Sequence, residues 1–141
     1  MVPLLWVFAA CSLLPCSAQP SSIDCSEMTY ENRNQTDYGP LVVSRVSGTA
    51  NDNGGVAVPG ICIGVFTTED HRLVASVRTD AQGRFEIKGV SRGDYRLVAK
   101  CEGFCSGNAK IRVVSSSRSK KRLQVKMRFA GIDTCSFFEV K

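Results

Sequence analysis

Only one histidine occurs in the chain, His71, with Glu69, Asp70 and Arg72 as neighbours. A Ser–His–Asp hydrolase would need that imidazole as its general base, held by a carboxylate and facing an activated serine. The polar neighbours instead make it an exposed loop imidazole. Asp80, in Thr79-Asp80-Ala81-Gln82-Gly83, is an oxygen donor that calcium could use, but a calcium loop needs several Asp or Asn close together. A turn accounts for the residue fully: the carboxylate accepts backbone N–H groups and Gly83 closes the loop. Cys101-Glu102-Gly103-Phe104-Cys105 has a three-residue spacer, which is neither the two-residue redox motif nor a zinc knuckle, and no second Cys or His pair supports it. The sequence therefore predicts no catalytic residue, no metal site and no cofactor, and assigns the chain a binding or scaffolding role.

Charge is the stronger chemical signal. The whole chain carries +5, but residues 108–131 hold eight Lys and Arg with no acid, so the rest sums to −3. Within this stretch the candidate anion-binding face is Arg118, Lys120, Lys121 and Arg122 in a loop, followed by Lys126 and Arg128 on a strand. Like charges at this density repel unless salt screens them or anions answer them. One outcome is a solvated face that aids solubility. The sharper expectation is an anionic partner: the chain's own acidic arm at Asp24, Glu27, Glu31 and Asp37, or an external acidic polymer, lipid head group or protein. Nucleic acid is not expected, because no aromatics interleave with the bases and the chain carries an export signal.

That signal is the uncharged start of the chain. Residues 4–14 form an apolar run too short to span a bilayer comfortably, and Cys16, Ser17 and Ala18 are the small residues a signal peptidase favours. Residues 1–18 are expected to be removed, leaving no transmembrane segment and a periplasmic, cell-surface or extracellular protein. About 123 residues then remain, enough for one domain with a modest core. Five cysteines stay with it, Cys25, Cys62, Cys101, Cys105 and Cys135, in a compartment where disulfides persist. Five is odd, so at least one thiol has no intramolecular partner.

The elements that position these residues are short strands. Residues 19–40 are polar and turn-rich and read as an irregular acidic arm pinned by Cys25; they include a glycosylation sequon, Asn34-Gln35-Thr36. From Leu41 onward, β-branched runs separated by Gly, Asp and Asn predict seven strands, at 41–49, 61–66, 73–79, 84–87, 95–100, 110–114 and 123–129. In the last of these Leu123, Val125, Met127 and Phe129 alternate with Gln124, Lys126 and Arg128, which predicts one buried and one cationic face. Phe85, Ile87, Tyr95, Leu97 and Ala99 are expected in the core by the same alternation. No window keeps a helical period.

Five pieces in this order resemble the carboxypeptidase regulatory-like domain: Val46-Ser47-Gly48-Thr49-Ala50, Val58-Pro59-Gly60-Ile61-Cys62-Ile63, Thr79-Asp80-Ala81-Gln82-Gly83-Arg84-Phe85, Gly93-Asp94-Tyr95-Arg96-Leu97 and Gly103-Phe104. The resemblance covers about residues 41–130, with a C-terminal extension at 131–141. It implies an all-β, seven-stranded Greek-key sandwich of the prealbumin-like type, grouped with carbohydrate-binding-like folds and not itself catalytic. The partner it implies is open: an envelope protein, a glycan or an anionic surface. Two alternatives remain, a structural envelope component and a transthyretin-related hydroxyisourate hydrolase. The latter depends on several histidines and a C-terminal Tyr-Arg-Gly-Ser, whereas this chain closes on Phe137-Phe138-Glu139-Val140-Lys141. The resemblance also sets 61–66 antiparallel to 95–100, which makes Cys101 or Cys105 the expected partner of Cys62 and leaves Cys25 to pair with Cys135. Strand alternation puts Cys62 and Cys101 on opposite faces unless the chain bulges.

Overall fold

The alternation read in the sequence becomes strand burial in the structure. A computed structural model of the chain describes residues 24–32, 34–36, 39–115, 121–130, 135 and 139–141. Residues 1–18, expected to be a signal segment, and Asp37, Arg118 and Lys120 lie outside the described residues. Within them the strands are β1 (Leu41–Val43), β2 (Val46–Asp52), β3 (Cys62–Thr67), β4 (Leu73–Arg78), β5 (Arg84–Ile87), β6 (Gly93–Lys100), β7 (Gly107–Val113), β8 (Leu123–Met127) and β9 (Glu139–Val140). They form a five-stranded sheet, β1-β7-β6-β3-β4, and a four-stranded sheet, β5-β2-β8-β9. The β1–β7 and β2–β8 pairs are parallel and the others antiparallel. Ile63, Val65, Leu97, Ala99 and Ile111 from the first sheet meet Val46, Ala50, Phe85, Leu123, Val125 and Met127 from the second in one core. The chain is thus the all-β sandwich that the sequence predicts.

The first predicted strand, 41–49, is two strands in different sheets. Val43 and Val46 are both buried, three residues apart, which one period-two strand cannot achieve. A bend at Ser44 and Arg45 lets the chain cross between sheets and turns both valines inward. Phe129 departs from expectation in the opposite sense. It continues the alternation of β8 but lies beyond the strand's last residue, Met127, and is 67% exposed. Its ring stacks on Phe104 at 4.6 Å instead of entering the core, and the neighbouring backbone pairs with the 101–105 loop through Ala130 N–H to Gly103 O.

The disulfides are Cys25–Cys62 and Cys105–Cys135, each with Cα atoms 5.2 Å apart, and Cys101 is free. This corrects the expected pairing of Cys62 with Cys101 or Cys105 and of Cys25 with Cys135. Cys62 is level with Lys100 in the β3–β6 register, so both point to the outer face of the sheet, while Cys101, one residue on, packs against the core. Alternation forbids the pairing. Burial pushes the Cys101 thiol's pKa up, so it stays protonated.

What meets Cys62 on the outer face is the arm. Met28 is buried with Cys62, Phe66 and Val98, and Tyr30 and Leu73 pack against that cluster. Gly64 makes this approach possible: a Cβ there would stand 3.0 Å from the Met28 sulfur. Further along, Thr36 N–H bonds to Asn108 O, and Gln35 bridges Asn108 in parallel, so the arm continues β1 along the edge of β7. Asn108 is fully buried and joined to the arm on several sides. Its Nδ2 donates to Glu31 O at 2.8 Å, its Oδ1 accepts from Arg96, and its N–H donates to Asn34 O. Glu31 pairs with Lys100 at 2.6 Å and accepts from the Ser106 hydroxyl.

Candidate functional site

The arm packs on the five-stranded sheet, and among the described residues the outer face of the four-stranded sheet carries exposed Arg84, Glu86 and Gln124. β2 lies between β5 and β8, and its outward side chains are small. Ser47 is level with Glu86 on β5, and Thr49 is level with Arg84 on β5 and Gln124 on β8. Extending the Gly48–Leu123 register by one residue sets Arg122 across β2 from Glu86. Adjacent strands are about 4.8 Å apart, so the long side chains of β5 and those of Lys121 and Arg122, just before β8, form two walls about 10 Å apart over a floor of Ser47 and Gly48. The result is a groove of about 590 Å³, whose cationic lining is Arg45, Arg84, Lys121 and Arg122 and whose acids are Asp80 and Glu86. Gly48 is forced by the floor itself, since a Cβ there would lie 1.9 Å from Leu123 O.

One end of the groove is rigid. Asp80 accepts from Gln82 N–H at 2.9 Å and Arg84 N–H at 2.8 Å, and Gly83 takes φ +71° to close the turn. This is the turn chemistry that the sequence predicts. The Asp80 carboxylate also holds Arg84 Nε at 3.2 Å, and Gln82 Oε1 accepts from the same guanidinium. These bonds, the one from Arg84 N–H foremost, lower the Asp80 pKa, so the aspartate is ionised and Arg84 is fixed in place.

The predicted basic strip is divided by the fold. Lys121 and Arg122 line the groove, while Lys126 pairs with Glu139 of β9 at 3.8 Å and Arg128 is exposed just past β8. Glu139 is held below the usual carboxylate range chiefly by Lys141, with Lys126 adding to the effect. Lys110 and Arg112 belong to β7 in the other sheet, where Arg112 binds Asp94 at 2.7 Å. Of the described acidic residues of the arm, Glu31 pairs with Lys100 on the five-stranded sheet and Asp24 caps the short 3-10 turn Cys25–Glu27 through Ser26. Sequence reading missed Arg45 and Arg84, which reach the groove from distant positions; only the β2–β5 register brings them there.

Among the described residues no catalytic arrangement forms around the remaining candidates. His71 is exposed, has φ 50°, and stacks on Tyr30 of the arm with ring centroids 3.8 Å apart. Asp70 accepts from the Thr67 hydroxyl, which lowers its pKa. Gly89-Val90-Ser91-Arg92-Gly93, which sequence reading passed over, spells the pentapeptide of a nucleophile elbow. An elbow turns from strand into helix, whereas this segment joins β5 to β6, and Ser91 O accepts from the Tyr95 hydroxyl. Among the described residues no cluster of three His, Cys, Asp or Glu could hold a metal, and no helix is long and apolar enough to cross a membrane.

The sequence model of the carboxypeptidase regulatory-like domain matches residues 45–128, more than half of the chain. The chain belongs to that family. No curated protein matches it. The match takes in β2 to β8, hence the two walls and floor of the groove, and leaves out the arm and β9. Each disulfide of this carboxypeptidase regulatory-like domain ties a cysteine inside the matched region to one outside it, which fits a chain folded in an oxidising compartment. The family is of a regulatory, non-catalytic kind.

Proposed function

We propose that this protein is an exported, non-catalytic binding module that takes an anionic ligand in the groove of its four-stranded sheet. The observation that supports the reading most directly is the convergence of Arg45, Arg84, Lys121 and Arg122, from three separate parts of the sequence, around one open trough. Arginines in such a position form charge-assisted, bidentate bonds to carboxylates and sulfates. The groove side chains Arg84, Glu86, Lys121 and Arg122 are exposed, while the arm covers the middle of the opposite sheet at Cys62, Phe66 and Val98.

The test is the affinity of the purified protein for a soluble polyanion such as dextran sulfate across a salt series, in wild type and in Lys121→Glu/Arg122→Glu. Binding that weakens with salt and falls about tenfold or more in the variant is expected, since each charge-assisted contact is worth about 1.5–3 kcal/mol. Equal binding by both proteins would place recognition elsewhere on the molecule.

A further inference from the structure

The groove holds a carboxylate that a site built only for negative charge would avoid. Asp80 is neutralised by Arg84, but Glu86 stands exposed on the β5 wall, level with Ser47 and facing the Arg122 side across it. A dense polyanion such as polyphosphate would meet repulsion from Glu86 at each pass along the trough. An ionised carboxylate can only accept hydrogen bonds, so its natural counterpart in a ligand is a hydroxyl or amide donor. The groove therefore offers two kinds of contact on facing walls about 10 Å apart, cations for isolated acidic groups and an acceptor for neutral donors, with the Ser47 hydroxyl able to serve as either between them.

The lining also discriminates among ligands with such mixed chemistry. Phe85 is the one hydrophobic side chain against the groove, and it is buried in the core, so the trough has no exposed apolar pocket. Protein and peptide partners draw most of their affinity from aromatic or aliphatic anchors seated in such pockets. A ligand that is polar along its whole length, with spaced carboxylates and many hydroxyls, matches what is present. The walls about 10 Å apart leave room for one extended chain to lie along β2 and be touched from both sides.

Resting on the anion-binding reading above, we infer that the groove recognises an acidic polysaccharide of the uronate type, with Arg45 and Arg122 taking carboxylates and Glu86 accepting sugar hydroxyls. The specificity residue is Glu86. Its role separates this ligand class from other anions, because removing its charge must weaken a sugar that donates to it and strengthen a polyanion that does not.

The experiment measures binding of sodium polygalacturonate, polyglutamate and polyphosphate by isothermal titration calorimetry to the wild-type protein, Glu86→Gln and Lys121→Glu/Arg122→Glu, with unfolding midpoints recorded for each. Polygalacturonate binding is expected to be the tightest per residue, and to fall about fivefold in Glu86→Gln while polyphosphate binding stays level or rises. An unchanged unfolding midpoint for Glu86→Gln assigns the loss to the contact. If Glu86→Gln tightens polygalacturonate and polyphosphate alike, Glu86 is only a repulsive neighbour; the uronate assignment falls and the anion groove stands. Tightest binding to polyglutamate would name an acidic peptide as the partner class instead. If no polymer binds, or all bind the Lys121→Glu/Arg122→Glu variant as well as wild type, the anion-binding reading itself is overturned.

Discussion

β3 and β8 are both central strands, yet one is buried on both faces and the other on one. Cys62, Ile63, Gly64, Val65 and Phe66 are all buried in β3, whereas β8 alternates Leu123, Val125 and Met127 with Gln124 and the half-exposed Lys126. The difference lies in what covers the outer face. Over β3 the arm supplies a second layer, with Met28 seated on Gly64 and against Phe66 and Val98. Over β8 no described residue supplies such a layer, and Gln124 is exposed. A continuous apolar run in an antiparallel sheet thus signals a hidden cover, as it does in parallel sheets buried on both sides, and clean alternation marks the face left free for recognition.

The largest effect that tests this contrast is expected at Gly48. Alanine there must push β2 from β8 at the backbone, so a loss of about 3–5 kcal/mol in urea unfolding is expected for Gly48→Ala. Gly64→Ala meets only side-chain atoms, at 3.0 Å or more, and should cost less while loosening the arm; equal losses would mean that the arm is as rigid as the sheet. Next comes the arm's covalent tie. Cys25→Ala/Cys62→Ala opens a link between residues 37 apart in sequence and should cost about 3 kcal/mol, with faster hydrogen exchange at Met28 and Tyr30. Unchanged exchange there would show that packing alone holds the cover.

A smaller effect distinguishes the charges of the two sheets. Asp80 at the groove, held chiefly by Arg84 N–H, and Asp94 on the opposite sheet, held by the Arg112 side chain, both have folded-state pKa values below their ordinary range. Each therefore contributes stability that is present above the unfolded pKa, about 3.9, and is lost as pH falls through the lower folded value. Stability measured from pH 5 to pH 2 should decline in this window, and Asp80→Asn and Asp94→Asn should each flatten the decline; parallel curves would remove these pairs from the acid response. The smallest effect is reserved for the groove wall. Lys121→Glu/Arg122→Glu should alter stability by no more than about 0.5 kcal/mol, because both residues are exposed. A larger loss would make the wall part of the scaffold and spoil the division between covered and open faces.

Local patterns were legible in the sequence where the physics is local. The alternation of β5 and β8, the Asp80–Gly83 turn and the order of the family's pieces all depend on neighbours a few residues apart. The arm's seat was not legible, because Met28 finds Gly64, Tyr30 finds His71 and Cys25 finds Cys62 across long stretches of chain. Phe129 misled because alternation in sequence outlasts pairing in space. The basic stretch misled in a related way. Read linearly it is one strip, but it spans β7 and β8, which belong to different sheets, so its charges part company. The groove recovers Lys121 and Arg122 and adds Arg45 and Arg84, which no linear window contains.

The buried amide of Asn108 gives the arm a single address. Its Nδ2 donates to Glu31 O and its Oδ1 accepts from the Arg96 guanidinium, while the Asn108 backbone N–H donates to Asn34 O. Sliding the arm by one residue would keep much of its greasy contact with Phe66 and Val98, but it would strand that amide in the interior at a cost of about 1–3 kcal/mol. Apolar contact makes the arm adhere; Asn108 chooses among the alignments in which it could adhere. An index of this kind also holds Cys25 in line with Cys62, the residue to which the arm is bonded.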